Sequence, residues 1–297
     1  MANFSRRDFL RTTAGAAATL AAGGSILGAA KKTATDWVPL GQSGVKVTRL
    51  AFGTGTFGGR VQRELGQEGF TKLVRYAYDR GIRFFETADN YREMPTMLGI
   101  ALKGLPRDSY RIMTKYRLKD LDNPQATIDR LRTELQTEQL DVLLLHCVRT
   151  ADWSENFKKL RDEFDEAKSK KVILSHGASC HGLLPLRAFP DNKWLDVALM
   201  RVNHNGTRMD SLQGGESAEI KGDVPEVISH VAKVHKQGTG VIGMKIMGEG
   251  AFKDPETRDA SIKFVMQLGT VDAVTIGFKS PAEIDEAIER MGRHLNA

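Results

Sequence analysis

Glu86, Tyr91, Lys115 and His146 each fall at or just past the end of a short apolar run. An acid, a phenol, an ammonium and an imidazole can act together as a proton donor if those chain segments converge. Tyr91 is the group to protonate a carbonyl oxygen. Lys115 would favour the phenolate and draw the phenol's pKa below its usual ~10. Glu86 would keep the lysine from being a buried charge without a partner, which is costly. His146 would steer the substrate. The set points to oxidation–reduction at a carbonyl or alcohol carbon; structural ion pairing is the competing explanation.

Convergence requires an architecture that gathers strand ends. Trp37–Leu50 reads as a hairpin turning at Gln42-Ser43-Gly44. Beyond it, apolar runs alternate with amphipathic stretches. The expected strands are Leu50–Gly53, Ile82–Phe85, Tyr110–Thr114, Val142–Leu145, Val172–Ser179, Leu195–Val202, Gly240–Met244 and Ala273–Ile276. The expected helices are Gln67–Arg80, Met94–Leu102, Asn123–Leu135, Trp153–Lys170, Val224–Lys236, Asp259–Leu268 and Pro281–Arg290. This alternation predicts an α/β fold, a (β/α)8 TIM barrel with an N-terminal β-hairpin, whose chemistry gathers at the carboxyl rim of its strands. A doubly wound sheet competes. It would want a glycine-rich first turn, which Gly53-Thr54-Gly55-Thr56-Phe57-Gly58 approximates. That run follows a hairpin, and no acidic residue is placed to hold a ribose, so it is discounted.

Residues 1–30 read as a targeting segment outside the fold. Arg6-Arg7 precede Phe9-Leu10, an Ala/Gly/Thr-rich stretch follows, and Gly28 and Ala30 suit a signal peptidase. The expectation is a twin-arginine export signal, the twin-arginine (Tat) machinery as a partner, and a periplasmic location for residues 31–297. An ordinary helix or a retained anchor is the alternative; glycine and threonine dilute the stretch as a membrane span. The twin-arginine route carries folded proteins, which suits a cofactor enzyme. The formal charge of +6 falls to +4 once Arg6, Arg7, Arg11 and Asp8 leave with the signal. So mild and dispersed a charge argues against nucleic acid. The two cysteines, Cys147 and Cys180, build no disulfide framework.

The sequence resembles the aldo-keto reductase superfamily over essentially all of 31–297. Leu40–Leu50 resembles its lead-in hairpin and first strand. Phe85-Glu86-Thr87-Ala88 with Tyr91 resembles its Asp-Thr-Ala…Tyr motif, and Lys115 and His146 match the rest of its catalytic tetrad. The resemblance implies hydride transfer between the nicotinamide of NADP or NAD and a small-molecule carbonyl or alcohol, in a monomer without a metal. It also implies cofactor contacts. Gly53 and Thr54 would lie at the nicotinamide, as would Ser179, Cys180 and Arg201. Met244 would stand where many members stack an aromatic ring, with Lys245 beside it. Gly277, Phe278, Lys279, Glu283 and Glu286 would form the adenosine-phosphate segment.

The departures are specific. Glu86 replaces the usual Asp, Cys180 an amide residue, and Arg201 a glutamine. Glu283 stands where an NADP-binding arginine is usual, and a carboxylate there would repel a 2′-phosphate, leaving the preference between NAD and NADP open. The chain ends soon after its last helix, so an open pocket taking bulky substrates such as sugars is expected. Two other functions compete: a nucleotide-binding barrel with little or no catalysis, and a metal-dependent hydrolase using His146, His176, His181 and His204, all near expected strand ends.

Overall fold

The computed structural model describes residues 31–119, 121–213 and 219–297. The expected signal segment, 1–30, lies outside the described residues. Strand β1 (Trp37–Pro39) pairs antiparallel with β2 (Lys46–Thr48), forming the expected hairpin. Eight parallel strands follow: β3 (Leu50–Gly53), β4 (Phe84–Glu86), β5 (Arg111–Arg117), β6 (Leu140–Val148), β7 (Ile173–Cys180), β8 (Val197–Arg201), β9 (Gly240–Met244) and β10 (Ala273–Gly277). They hydrogen bond in that order, and β10 returns to β3 to close the barrel. The helices are α1 (Arg60–Arg63), α2 (Gly66–Asp79), α3 (Met94–Leu102), α4 (Pro124–Glu134), α5 (Trp153–Asn156), α6 (Lys158–Ser169), α7 (Leu183–Arg187), α8 (Val224–Lys236), α9 (Pro255–Gln267) and α10 (Pro281–His294). Among the described residues, no helix is long and apolar enough to cross a membrane.

Strand alternation divides the apolar residues into two layers. Ala51, Phe84, Met113, Val142, Leu144, Val197, Leu199 and Ile242 face inward. Phe52, Phe85, Ile112, Leu143, Leu145 and Ala198 face the helices. Leu40, Val45 and Val47 of the hairpin join the inner layer. The hairpin loop meets the amino-terminal end of β9, where Gly41 pairs with Thr239 and the Gln42 amide donates to the Gly238 carbonyl. The hairpin therefore plugs the barrel floor. Gly177 is required where β7 approaches β8, because a Cβ there would lie 1.7 Å from the Val197 carbonyl oxygen.

Four helices begin on a repeated device. Asn123, Asp223, Asp254 and Ser280 accept a hydrogen bond from the third helical amide of α4, α8, α9 and α10, with proline in the first turn. The Asp254 cap explains why α9 starts at Pro255, ahead of the expected Asp259. The expected helix over Trp153–Lys170 is two helices, broken at Phe157 by a non-helical backbone (φ −107°). Strands β5 and β6 run beyond their apolar cores to Arg117 and Val148, so Lys115 and His146 lie within strands and not after them. Helix α10 runs from the mouth to the floor. There Asn296 bonds the main chain of Lys32 twice, at 2.9 and 2.8 Å.

Candidate active site

The inward positions of β5 read Met113, Lys115, Arg117, and those of β6 read Val142, Leu144, His146, so alternation carries Lys115 and His146 to the mouth. Glu86 ends β4 beside them. The loop after β4 is stapled across β5: the Thr87 amide donates to the Met113 carbonyl and the Asp89 amide to the Lys115 carbonyl. The Tyr91 amide bonds the Ala88 carbonyl, and Arg63 donates to the Tyr91 carbonyl at 3.3 Å. These bonds hold the phenol over the lysine.

Lys115 is 2% exposed and directs its ammonium at three acceptors. These are Glu86 Oε1 in a short contact, the Thr87 carbonyl at 2.9 Å and the Tyr91 hydroxyl at 3.3 Å. The second Glu86 oxygen accepts from Thr275 at 3.2 Å. The longer acid fits because residue 53 is glycine: a Cβ there would lie 2.6 Å from Thr275 Oγ1 and 3.0 Å from Glu86 Oε2. Gly55 leaves the phenol its space in the same way, since a Cβ would lie 2.6 Å from the Tyr91 hydroxyl. The His146 ring meets the Tyr91 ring edge-on, 5.6 Å between centroids.

The electrostatics correct one expectation. Burial pushes the Tyr91 phenol well above its usual pKa, and the negative charge of Glu86 adds to the rise. These effects outweigh the lowering expected from the Lys115 ammonium, which is held in a short ion pair with Glu86. Burial also draws the Lys115 ammonium down from its usual value, opposed by Glu86. His146 is pushed well below the usual imidazole range by burial, then by the charges of Lys115 and His181. At neutral pH the device is a protonated phenol, a neutral imidazole and a lysine–glutamate pair.

Gly53, Met244, Lys245, Gly277, Phe278, Lys279, Glu283 and Glu286 line one cleft of about 600 Å3 together with Glu86, Tyr91 and Lys115. Four expected contacts lie outside that lining. Thr54 is fully buried, its amide donating to the Glu86 carbonyl at 3.0 Å. Ser179 faces the barrel interior, but its hydroxyl accepts from the Cys147 amide at 2.7 Å and holds the β6 bulge. Cys180 is the next residue, so alternation turns it outward into the helix-facing core, where its thiol meets the Gly182 carbonyl at 3.4 Å. Arg201 is buried; it bonds His181 Nδ1 and lies 3.5 Å from Asp210.

The expected adenosine-phosphate segment is braced internally. Ser280 accepts from the Glu283 amide, and Glu283 accepts from the Lys279 amide at 2.8 Å, a reciprocal cap on α10. Arg258 grips Glu286 through two bonds, at 2.8 and 3.2 Å, and Arg290 adds a third. Arg258, Lys253, Phe57 and Thr275 also line the cleft and went unread in the sequence. A basic residue after an Asp-Pro helix start was the available signal for Arg258.

The four histidines suggested for a metal do not assemble. His176 stacks on Trp194 and pairs with Asp165, and His204 packs on Phe252. His146 and His181 come together with Cys147, within reach of one ion. The positive charges that depress the His146 pKa, Lys115, Lys245 and Arg149 among them, oppose a cation there.

A family model described as the aldo/keto reductase family matches residues 49–296. A Glycine max protein described as "Probable aldo-keto reductase 1" is 29% identical over 170 residues, 51% of this chain and 49% of that one. The chain thus spans about half the length of that curated relative. An aldo-keto reductase from Bacillus halodurans in its holo form superposes with TM-score 0.69 at 16% identity, covering 88% of this chain and 95% of that one. An aldo/keto reductase from Klebsiella pneumoniae, in complex with NADP and acetate, superposes with TM-score 0.61 at 14% identity, covering 86% and 89%. These superpositions carry the fold. The family match begins just after the hairpin and spans all eight barrel strands and the last helix, and on it the chain belongs to the aldo/keto reductase family.

Proposed function

We propose that the protein is an oxidoreductase that interconverts a carbonyl compound and an alcohol with NADP or NAD, Tyr91 being the proton donor in reduction and the acceptor in oxidation. The observation that carries this is the Lys115 ammonium, held by Glu86 and 3.3 Å from the Tyr91 hydroxyl at the wall of an open cleft. The cleft lining fits a nicotinamide nucleotide: Met244 and Phe278 offer apolar faces, Lys279 a cation, and Gly53 and Gly277 bare backbone. A Cβ on Gly55 would strike Tyr91, and one on Gly277 would strike Thr56 Oγ1. Met244, Gly277, Phe278 and Lys279 would hold the nucleotide. When bound, it supplies the reducing equivalent.

Tyr91 keeps its proton at neutral pH because its pKa lies well above the usual value. It therefore presents an O–H to a carbonyl oxygen and completes the transfer as charge develops there. Lys115 stabilises the phenolate left behind. His146, neutral, has an N–H to orient the same oxygen. Tyr91→Phe should lower carbonyl reduction by about 10²–10⁴-fold while leaving nucleotide affinity within about twofold. Turnover like that of the parent would remove Tyr91 from the acid role.

Export is proposed on Arg6-Arg7 and the stretch that follows. Replacing both arginines by lysine should move the protein from the periplasmic to the cytoplasmic fraction; an unchanged distribution would overturn the export reading.

A further inference from the structure

A second recess opens beside the cleft, between the loops after β3 and β4. Phe57, Gly58, Arg60, Arg63, Asn90 and Arg92 line it, and its volume is about 470 Å3. Phe57 also lines the main cleft, so the two spaces share a wall, and Arg92 directly follows the proposed proton donor Tyr91. Three arginines and no acid form this lining. Their charges are only loosely countered from outside. Arg60 and Glu64 lie 3.8 Å apart with both side chains well exposed, and Arg63 and Glu93 lie 3.5 Å apart. The exposed Arg60–Glu64 pair is weak and screened, and Arg63 pairs, half-buried, with an exposed Glu93. Arg92 has no acid partner among the described residues.

The recess is also shaped. Phe57 and Arg92, one from each loop, hold left-handed backbone at φ 50°, beside Gly58 and Gly59 at 63° and 83°. A left-handed backbone at a non-glycine residue is strained and persists where surrounding bonds enforce it. Arg63 supplies those bonds, donating to the Gly58 carbonyl at 2.7 Å and to the Tyr91 carbonyl at 3.3 Å, and so ties the two loops together. Phe57 remains 47% exposed, its ring free on the cleft side, with the Arg60 guanidinium 5.3 Å from its centroid.

We propose that this recess is a subsite for an oxyanion carried by the substrate, so that the preferred substrates are carbonyl compounds bearing a carboxylate or phosphate group. The inference rests on the reading of Tyr91 as the proton donor. Arg92 and Arg60 would bind the anion through charge-assisted hydrogen bonds, in the forked geometry suited to carboxylate and phosphate. Phe57 would pack on the carbon skeleton between anion and carbonyl. Arg63 positions the loops. The reacting carbonyl would then lie at Tyr91, with its charged end turned away from the acidic Glu86.

The test compares three aldehydes that differ at one end: 4-carboxybenzaldehyde, 4-formylphenyl phosphate and neutral methyl 4-formylbenzoate. At least one anionic aldehyde should exceed the neutral one in kcat/KM by about tenfold, mainly through KM, and the better anion identifies the source. In the Arg60→Gln/Arg92→Gln variant that ratio should fall to near one, and Arg92→Lys should restore part of it. A ratio near one in the parent, or one unchanged in the double variant, would overturn the subsite. Binding is measured separately by calorimetry with unreactive 4-methylbenzoate and 4-methylbenzamide. If no aldehyde turns over yet the benzoate binds about tenfold tighter than the amide, and the double variant abolishes that difference, the subsite stands and the oxidoreductase reading falls. Equal binding of benzoate and amide, together with no advantage of 4-formylphenyl phosphate over the neutral aldehyde, would overturn the subsite.

Discussion

Glu86 is one methylene longer than the aspartate usual at its position, and the site absorbs that length. One oxygen takes the Lys115 ammonium, the other takes Thr275 Oγ1, and Gly53 leaves both the space. Glu86→Gln removes the charge and keeps the shape. It would leave Lys115 as a buried ammonium without a counter-charge, at a cost of about 3–5 kcal/mol. Urea denaturation should show a loss of that order together with reduced carbonyl turnover; a stability within experimental error of the parent would mean the pair contributes nothing net. The identities of the four central residues were legible in the sequence because their types and order are distinctive. The direction of the Tyr91 pKa was not. It depends on how completely the phenol is buried and how the charges of Glu86 and Lys115 balance, and spacing carries neither quantity.

At the scale of elements, the amino terminus of α10 lines the end of the cleft proposed for the adenosine phosphate. Helix amino termini favour anions, but Glu283 brings a carboxylate of its own and engages the Lys279 amide. A 2′-phosphate placed there would meet that carboxylate. NADH should therefore bind no more weakly than NADPH. Glu283→Arg should raise the affinity for NADPH relative to NADH by about tenfold, comparable to one charge-assisted contact. Fluorescence titration of both nucleotides measures this, and a parent protein that strongly prefers NADPH would sink the argument. Periodicity made the helices and strands legible, with ends displaced where caps or β-continuations intervened, as at Asp254 and Val148. Cys180 was misassigned because an aligned motif hides parity: one step along a strand reverses the face. Lys253, in the loop after β9, and Arg258, in the first turn of α9, reach the cleft through tertiary placement, and only the Asp-Pro start of α9 hinted at Arg258.

For the whole molecule, the barrel was readable because eight apolar runs alternate with amphipathic ones, whereas its seal and its acid sensitivity are tertiary properties. His146 is 8% exposed, and burial lowers its pKa below the unfolded value of about 6.5. Between those two values the unfolded chain takes up a proton that the folded chain does not. The stabilisation is therefore complete above about pH 6.5 and is lost as pH falls through that window, by at most about 1.4 kcal/mol per pH unit for one group. His176 shifts in the same direction. Urea midpoints should fall from pH 7.5 to pH 5, and His146→Gln should flatten the fall; an identical slope in the variant would exclude His146 as a contributor.

The paired bonds between Asn296 and the Lys32 main chain have a practical corollary. Helix α10 delivers its far end to the plugged side of the barrel, so a short peptide could bridge Lys32 and Asn296 into a ring without crossing the substrate's path. Reopening that ring at an exposed loop would yield a permuted chain with every reacting group in its original place.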